Sequence, residues 1–318
     1  MKETKSRKIY FLFIKWLILL VAIFLFLKLA IDNKLTSFAV EVSLSSLCAF
    51  LGLLLLGKFL YASRWYFICK SNFGLRHISK IYLFRTNLLA EFTETAMLSS
   101  LSGDAVRVAK VASRTTKPTL SATSIILDRL VGLSSVIILA TVLSPLISQN
   151  LNLQTLVDLN LTKLGLIGCL VCSGIFYICA KFKKKLPTSR ILAQSKFKFK
   201  TICVIFILSL LANLIVASGY YFLFREFHPI LLQQVWAIVF IAQLSNIIPF
   251  SFFGVSPSEA SLVALASLMG VTQGAALVVV TTVVASKYLF AFCGFLIELS
   301  LDGKDFVLNL RKKQLKKR

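Results

Sequence analysis

The chain has 318 residues, of which 57% are hydrophobic and only 15% charged, and its formal net charge is +23. Soluble domains are usually about 45–50% apolar and about 25% charged. Together with a mean hydropathy of +0.83, these proportions exclude an ordinary soluble enzyme or a disordered basic tail, and they predict an all-α polytopic membrane protein.

A membrane-spanning helix needs about 20 mostly apolar residues. The first such run is 9–31. Its lysine-rich start is like that of a signal peptide, but the apolar stretch is long for one and no small-x-small cleavage site follows, so an uncleaved helix is expected. The second run is 38–63. The next stretch, 78–111, is interrupted by Arg85, Glu91, Glu94, Gly103 and Asp104. Clear runs follow at 120–147, 161–180 and 201–224. The stretch 231–270 is interrupted by Pro249, Gly254, Ser256, Pro257 and Glu259, and the last run is 274–299. Each interrupted stretch is long enough for two short helices with a break at membrane depth. Such a break is tolerated only inside protein or beside a water-filled cavity.

The cations orient these segments. Of 36 Lys and Arg, 27 fall in five places: before the first span, after the second, after the first broken stretch, in the loop 181–200, and in the tail from Lys304. The cations after the second span include Arg64 and Lys70. All five places share one face only if each broken stretch enters and leaves on the same side, as a re-entrant hairpin. Both termini are then cytoplasmic. The expected architecture is six full transmembrane helices plus two re-entrant hairpins, in one membrane domain over 1–318. Residues 9–147 and 161–299 form an inverted-topology repeat, each half with two spans, a hairpin and a span, and 300–318 is a basic cytoplasmic tail. Transporters of this architecture bind substrate at the repeat interface, near the broken helices.

Candidate site residues are the polar groups left inside apolar runs, because an intramembrane charge is costly and marks a pathway by default. Asn87, Glu91 and Glu94 are spaced i, i+4, i+7 and share a helix face that must avoid lipid. Ser102 is a candidate cap for a second helix. Asp104 would then lie in its first turn, within reach of Arg107 at i+3. Asp128 and Arg129 are adjacent, so their side chains diverge and each needs its own partner; Glu91 or Glu94 is the expected one for Arg129. Ser256-Pro257-Ser258-Glu259 reads as a capping box, with Glu259 also a candidate to meet a cation or exchange a proton. Lys287 is a candidate counter-ion for Glu259 or a substrate contact, and Arg85 a third cavity cation. Asn246 and Gly254 complete the set. For all of these, a structural role as cap or ion pair competes with substrate contact.

Other signals are weak. Cys169 and Cys172 form a CxxC inside an apolar run, and His77 and His228 are the only histidines, so neither a metal site nor a cofactor is expected. No GxxxxGK[ST] nucleotide motif is present. The basic clusters alternate with apolar runs, so nucleic-acid binding is not expected.

These residues resemble the lysylphosphatidylglycerol synthase transmembrane (flippase-like) family, the membrane half of the bacterial multiple-peptide-resistance factor, over about 9–299. The shared pattern is Arg64-Trp65 after the second span, Gly103-Asp104-Ala105-Val106-Arg107 after the first hairpin, Asp128-Arg129 in the next span, and Pro249, Gly254 and Glu259 in the second hairpin. The chain departs from it with Leu98-Ser99-Ser100-Leu101 where a Pro is usual, with Phe253 and Ser256 at frequent glycine positions, and with Ser258 where an Arg often precedes the Glu. The resemblance implies a multi-pass protein of the bacterial plasma (inner) membrane that moves a phospholipid or lipid-linked glycolipid between leaflets, passively or coupled to an ion. About 19 residues follow Leu299, so no lipid-synthesising domain is expected and the chain is not expected to be an enzyme. The implied partners are membrane lipids, anionic or lipid-linked, and envelope-biosynthesis proteins. Two readings remain beside this one: a secondary transporter of a small solute or ion, and an accessory subunit of envelope glycan or lipid biosynthesis. A membrane lipid enzyme is disfavoured by the lack of DDxxD and DxD motifs.

Overall fold

The computed structural model describes residues 42–73, 75, 77–96, 101–115, 118–148, 199–247 and 255–315, with side chains up to 300. The expected spans 9–31 and 161–180, the loop from 181 to 198, Pro249 and Gly254 lie outside the described residues. The regular structure within them is helical. Helix α1 is Leu44–Asn72, α2 Lys80–Ala96, α3 Leu101–Ala112, α4 Pro118–Leu143, α5 Pro145–Ser148, α6 Phe199–Phe224, α7 Leu232–Leu244, α8 Pro257–Leu268 and α9 Gln273–Leu315. A single 3-10 turn, Ser245–Ile247, follows α7.

Four helical stretches are long and apolar enough to cross a membrane: Leu44–Ser71, Thr119–Leu143, Lys200–Phe224 and Gln273–Ser300. They correspond to four of the expected spans. Their ends follow local chemistry. Pro118 opens α4, where its missing N–H costs nothing. Pro145 interrupts the expected 120–147 run, leaving the four-residue α5 beyond the break. Helix α1 continues past its expected end at Ser63 to Asn72, which carries Arg64 and Lys70 inside the helix. Helix α9 likewise runs into the expected tail, to Leu315.

The two interrupted stretches each fold as a pair of antiparallel helices. In the first, Tyr82 Oη donates to the Lys110 carbonyl (2.8 Å) at the open end, and Ser102 Oγ donates to the Thr93 carbonyl (2.9 Å) near the tip. Ser102 therefore lies in the first turn of α3 and reaches across to α2. In the second, Ser245 and Ser261 hydroxyls meet at 3.0 Å near the tip. At its open end Gly270 lies beside His228. Gly270 has φ +84°, a conformation that L side chains rarely adopt. It closes α8 with a Schellman motif, Val271 N–H donating to Ala266 O and Gly270 N–H to Ser267 O, both at 3.1 Å. At about 1.5 Å per residue, α2 is about 26 Å long and α3, α7 and α8 are about 18–20 Å. All four are shorter than the roughly 30 Å hydrocarbon core.

Packing fixes the first hairpin between α1, α4 and α9. Trp65, Cys69, Leu75, Ile78, Tyr82, Leu83, Val111 and Ile125 form a buried cluster at its open end, and Trp65 Nε1 donates to Ser124 Oγ (3.2 Å). On α9, Gly294 lies directly against the α2 backbone; a Cβ there would sit 2.5 Å from the Leu88 carbonyl carbon. One turn away, Phe92 and Phe295 stack with ring centroids 4.6 Å apart. Glu298 then takes Arg85 (3.1 Å) and Lys110. Lys70 and Lys80 both lie over Tyr66, and Arg114 lies over Tyr82. The end of α1, both open ends of the first hairpin and the far end of the α9 span thus meet at one level.

Candidate functional site

The tips of both hairpins border an open polar cavity of about 690 Å³, which α1, α4 and α6 also line. Helix α1 contributes Lys58, Tyr61 and Arg64 to its lining. These are spaced i, i+3, i+6 on a mostly apolar helix, so they form one stripe. Lys58 bonds Glu91 of α2 and also lies over the Phe290 ring, 4.9 Å from its centroid. Arg64 is 5% exposed. Its Nε and Nη2 donate to the two carboxylate oxygens of Asp128 (2.7 and 2.9 Å), and its Nη1 donates to Ser209 Oγ (2.7 Å). This two-pronged geometry matches guanidinium to carboxylate. A hydroxyl and amide chain continues from it through Ser209, Ser135 and Asn213 to Tyr61 Oη, each step 2.6–2.7 Å. It ties α1, α4 and α6 together at membrane depth, where each polar group needs an internal partner.

A second charged group faces the first. Arg129 Nε donates to Asp104 Oδ2 (2.5 Å), and its Nη2 lies 3.9 Å from Glu94. Arg107 Nη1 reaches Asp104 Oδ1 at 3.4 Å. Glu94 lies over the bare Cα of Gly103; a Cβ there would fall 2.2 Å from Glu94 Oε1. The glycine of the Gly-Asp-x-x-Arg run therefore makes room for a carboxylate. The cavity lining holds four cations and four carboxylates among the described residues, and each cation already has a carboxylate partner.

With this geometry in place, comparison with known proteins identifies the chain's relatives. Residues 12–294 match the family described as the lysylphosphatidylglycerol synthase TM region. The chain belongs to that family. The matched region holds both hairpins and every cavity residue named above. No curated protein gives a significant match.

The candidate residues divide by place. Asn87, Glu91, Glu94, Asp104, Arg107, Asp128, Arg129 and Asn246 line the cavity. Arg85 does not, contrary to its expected place there, because Glu298 of α9 holds it on the far side of α2. Glu259 and Lys287 do not line it either. Glu259 is 4% exposed and accepts from Ser256 N (2.7 Å), Ser256 Oγ, Ser258 Oγ (3.2 Å) and Lys287 Nζ. It is thus at once the helix-start acceptor and the partner of Lys287. Ser256 Oγ also lies 2.9 Å from the Asn246 side-chain amide, which links this buried group to the cavity wall. Arg129 takes Asp104 first and Glu94 only at long range, whereas Glu91, an equally expected partner, belongs to Lys58.

Sequence reasoning missed Lys58, Tyr61, Ser135, Ser209 and Asn213, and named Arg64 only as an orienting cation and in the Arg64-Trp65 pair, not as a site residue. Lys58 carried a usable signal, a cation in the middle of an apolar run. Arg64 sits where such a run turns polar and was counted with the orienting cations, yet it is buried. Among the described residues, no group of three or more His, Cys, Asp or Glu side chains is placed to hold a metal ion.

Proposed function

We propose that this membrane domain carries a phosphate-bearing amphipathic lipid between leaflets, and is not an enzyme. The observation that carries the reading is the cavity itself. A volume of about 690 Å³, lined by eight charged side chains, lies between two helix hairpins in a chain whose other described helices are apolar. Charges at such depth are expensive to keep, and they mark substrate pathways by default. Arg107 and Arg129 suit phosphate recognition because a guanidinium presents several donors at once. The short antiparallel hairpins support six spans with two re-entrant segments in an inverted repeat, the arrangement in which broken-helix tips flank a substrate. The shared level of Lys70, Lys80 and Arg114 supports a common face for the cationic segments, with both termini cytoplasmic, and family membership supports a bacterial inner membrane. Family membership supports lipid as the cargo class.

The test is leaflet exchange of an acyl-labelled phospholipid in proteoliposomes, comparing the native chain with Arg107→Gln/Arg129→Gln. The reading predicts exchange that is protein-dependent and lost in the double variant. Exchange equal to that of empty vesicles would overturn it.

A further inference from the structure

Resting on that reading of the cavity, we infer that the headgroup it accepts is net neutral: a phosphodiester joined to a primary ammonium, rather than a purely anionic headgroup. The chain as a whole carries +23, so an anion-selective site would be the simple expectation. The described cavity lining instead balances, four cations against four carboxylates. More decisive is that no lining cation stands apart. Arg107 and Arg129 share Asp104, and Arg129 also approaches Glu94. Lys58 is taken by Glu91.

A phosphate that binds the two arginines therefore competes with Asp104 for their charge, even where it accepts from an unused donor such as Arg107 Nε. The site then holds one more anion than cations, with Asp104 and Glu94, both largely buried, left sharing their arginines. Uncompensated charge of that kind is strongly unfavourable. A ligand that brings its own ammonium removes the problem by exchange: its phosphate replaces a carboxylate on arginine, and its ammonium replaces arginine on the carboxylate. The number of ion pairs rises and no charge is orphaned.

Two further atoms point the same way. Glu91 Oε2 and Arg107 Nε have no hydrogen-bond partner in the structure, and both are shielded. One is an acceptor lacking a donor and the other a donor lacking an acceptor. The soft terminal torsion of a glutamate lets Glu91 turn that oxygen toward the cavity. An N–H-bearing ammonium can satisfy it; a trimethylammonium, with no N–H, cannot. The inference thus separates ethanolamine-type from choline-type headgroups, although both are zwitterionic.

The test uses the full chain purified into mixed micelles with equal amounts of acyl-matched phosphatidylethanolamine, phosphatidylcholine and phosphatidylglycerol, read by native mass spectrometry of retained lipid. Phosphatidylethanolamine should be retained at least tenfold over each of the others. Glu94→Gln, which leaves the cavity with one excess cation at nearly unchanged shape, should shift retention toward phosphatidylglycerol by tenfold or more. Leaflet exchange of the same lipids is measured in parallel. Selective retention without exchange would uphold the headgroup assignment while overturning transport. Exchange of phosphatidylglycerol as fast as phosphatidylethanolamine, with equal retention, would overturn the assignment and leave transport standing. Glycerophosphoethanolamine forms the second arm. Failure to displace the lipid at a hundredfold excess supports a lipid ligand, and displacement at equal concentration would overturn it in favour of a soluble one.

Discussion

Replacing Asp128 with Leu should destabilise the protein by about 3–5 kcal/mol, the usual cost of breaking a buried ion pair from one side. The structure puts Arg64 in that class. Its side chain is 7% exposed and that of Asp128 15%, so solvent screens the loss little. After the substitution Arg64 keeps Ser209 as its acceptor but faces no negative charge. The cost comes from the orphaned guanidinium and not from the lost contact. The double variant Arg64→Met/Asp128→Leu should therefore recover most of the loss, to within about 1–2 kcal/mol of the native chain, since apolar replacement of a whole buried pair is often neutral. Ser209, Ser135 and Asn213 still satisfy one another in the double variant. Reversible unfolding in mixed micelles with increasing denaturing detergent gives the comparison. A single variant as stable as the native protein, or a double variant no better than the single, would refute the reasoning.

Other consequences are equally concrete. Gly294→Val should push α9 from α2, because even a Cβ meets the Leu88 carbonyl carbon at 2.5 Å; a loss of about 1–3 kcal/mol is expected in the same unfolding assay. Glu259→Gln removes the charge partner of Lys287 and should lower both stability and leaflet exchange, with Lys287→Met restoring part of the stability in the double variant. Single cysteines replacing Lys80 and Arg114 in a cysteine-free background should react with an impermeant thiol reagent from the same side of sealed vesicles, and one replacing the exposed Leu231 from the opposite side. Labelling of Lys80→Cys and Arg114→Cys from opposite sides would show the first hairpin to be a crossing.

The helices were readable where local chemistry controls them. Polar interruptions between Arg85 and Asp104 placed the first hairpin within two residues of α2 and α3, and the Ser256 to Glu259 motif placed the start of α8. The site was readable only in part, because its pairings join distant segments. Arg64 meets Asp128 across 64 positions; the Arg64-Trp65 pair marked the position, but its partner lies too far along the chain to be read locally. Lys58 meets Glu91 across 33 positions. Arg85 looked like a cavity residue from its depth alone, but its direction on α2 sends it to Glu298. The charge balance of the cavity was also hidden, since it emerges only once α1, α2, α3 and α4 converge.

The central claim is that a lipid headgroup enters the space between the hairpin tips. Photocrosslinking with a phosphatidylethanolamine that carries a diazirine near its glycerol, followed by peptide mapping, tests this most directly. The account predicts adducts on the cavity-lining segments around Glu94, Leu101 and Arg129, reduced in Arg107→Gln/Arg129→Gln. Adducts confined to outward apolar residues such as Leu55, Phe59 and Phe292, unchanged by that variant, would contradict it.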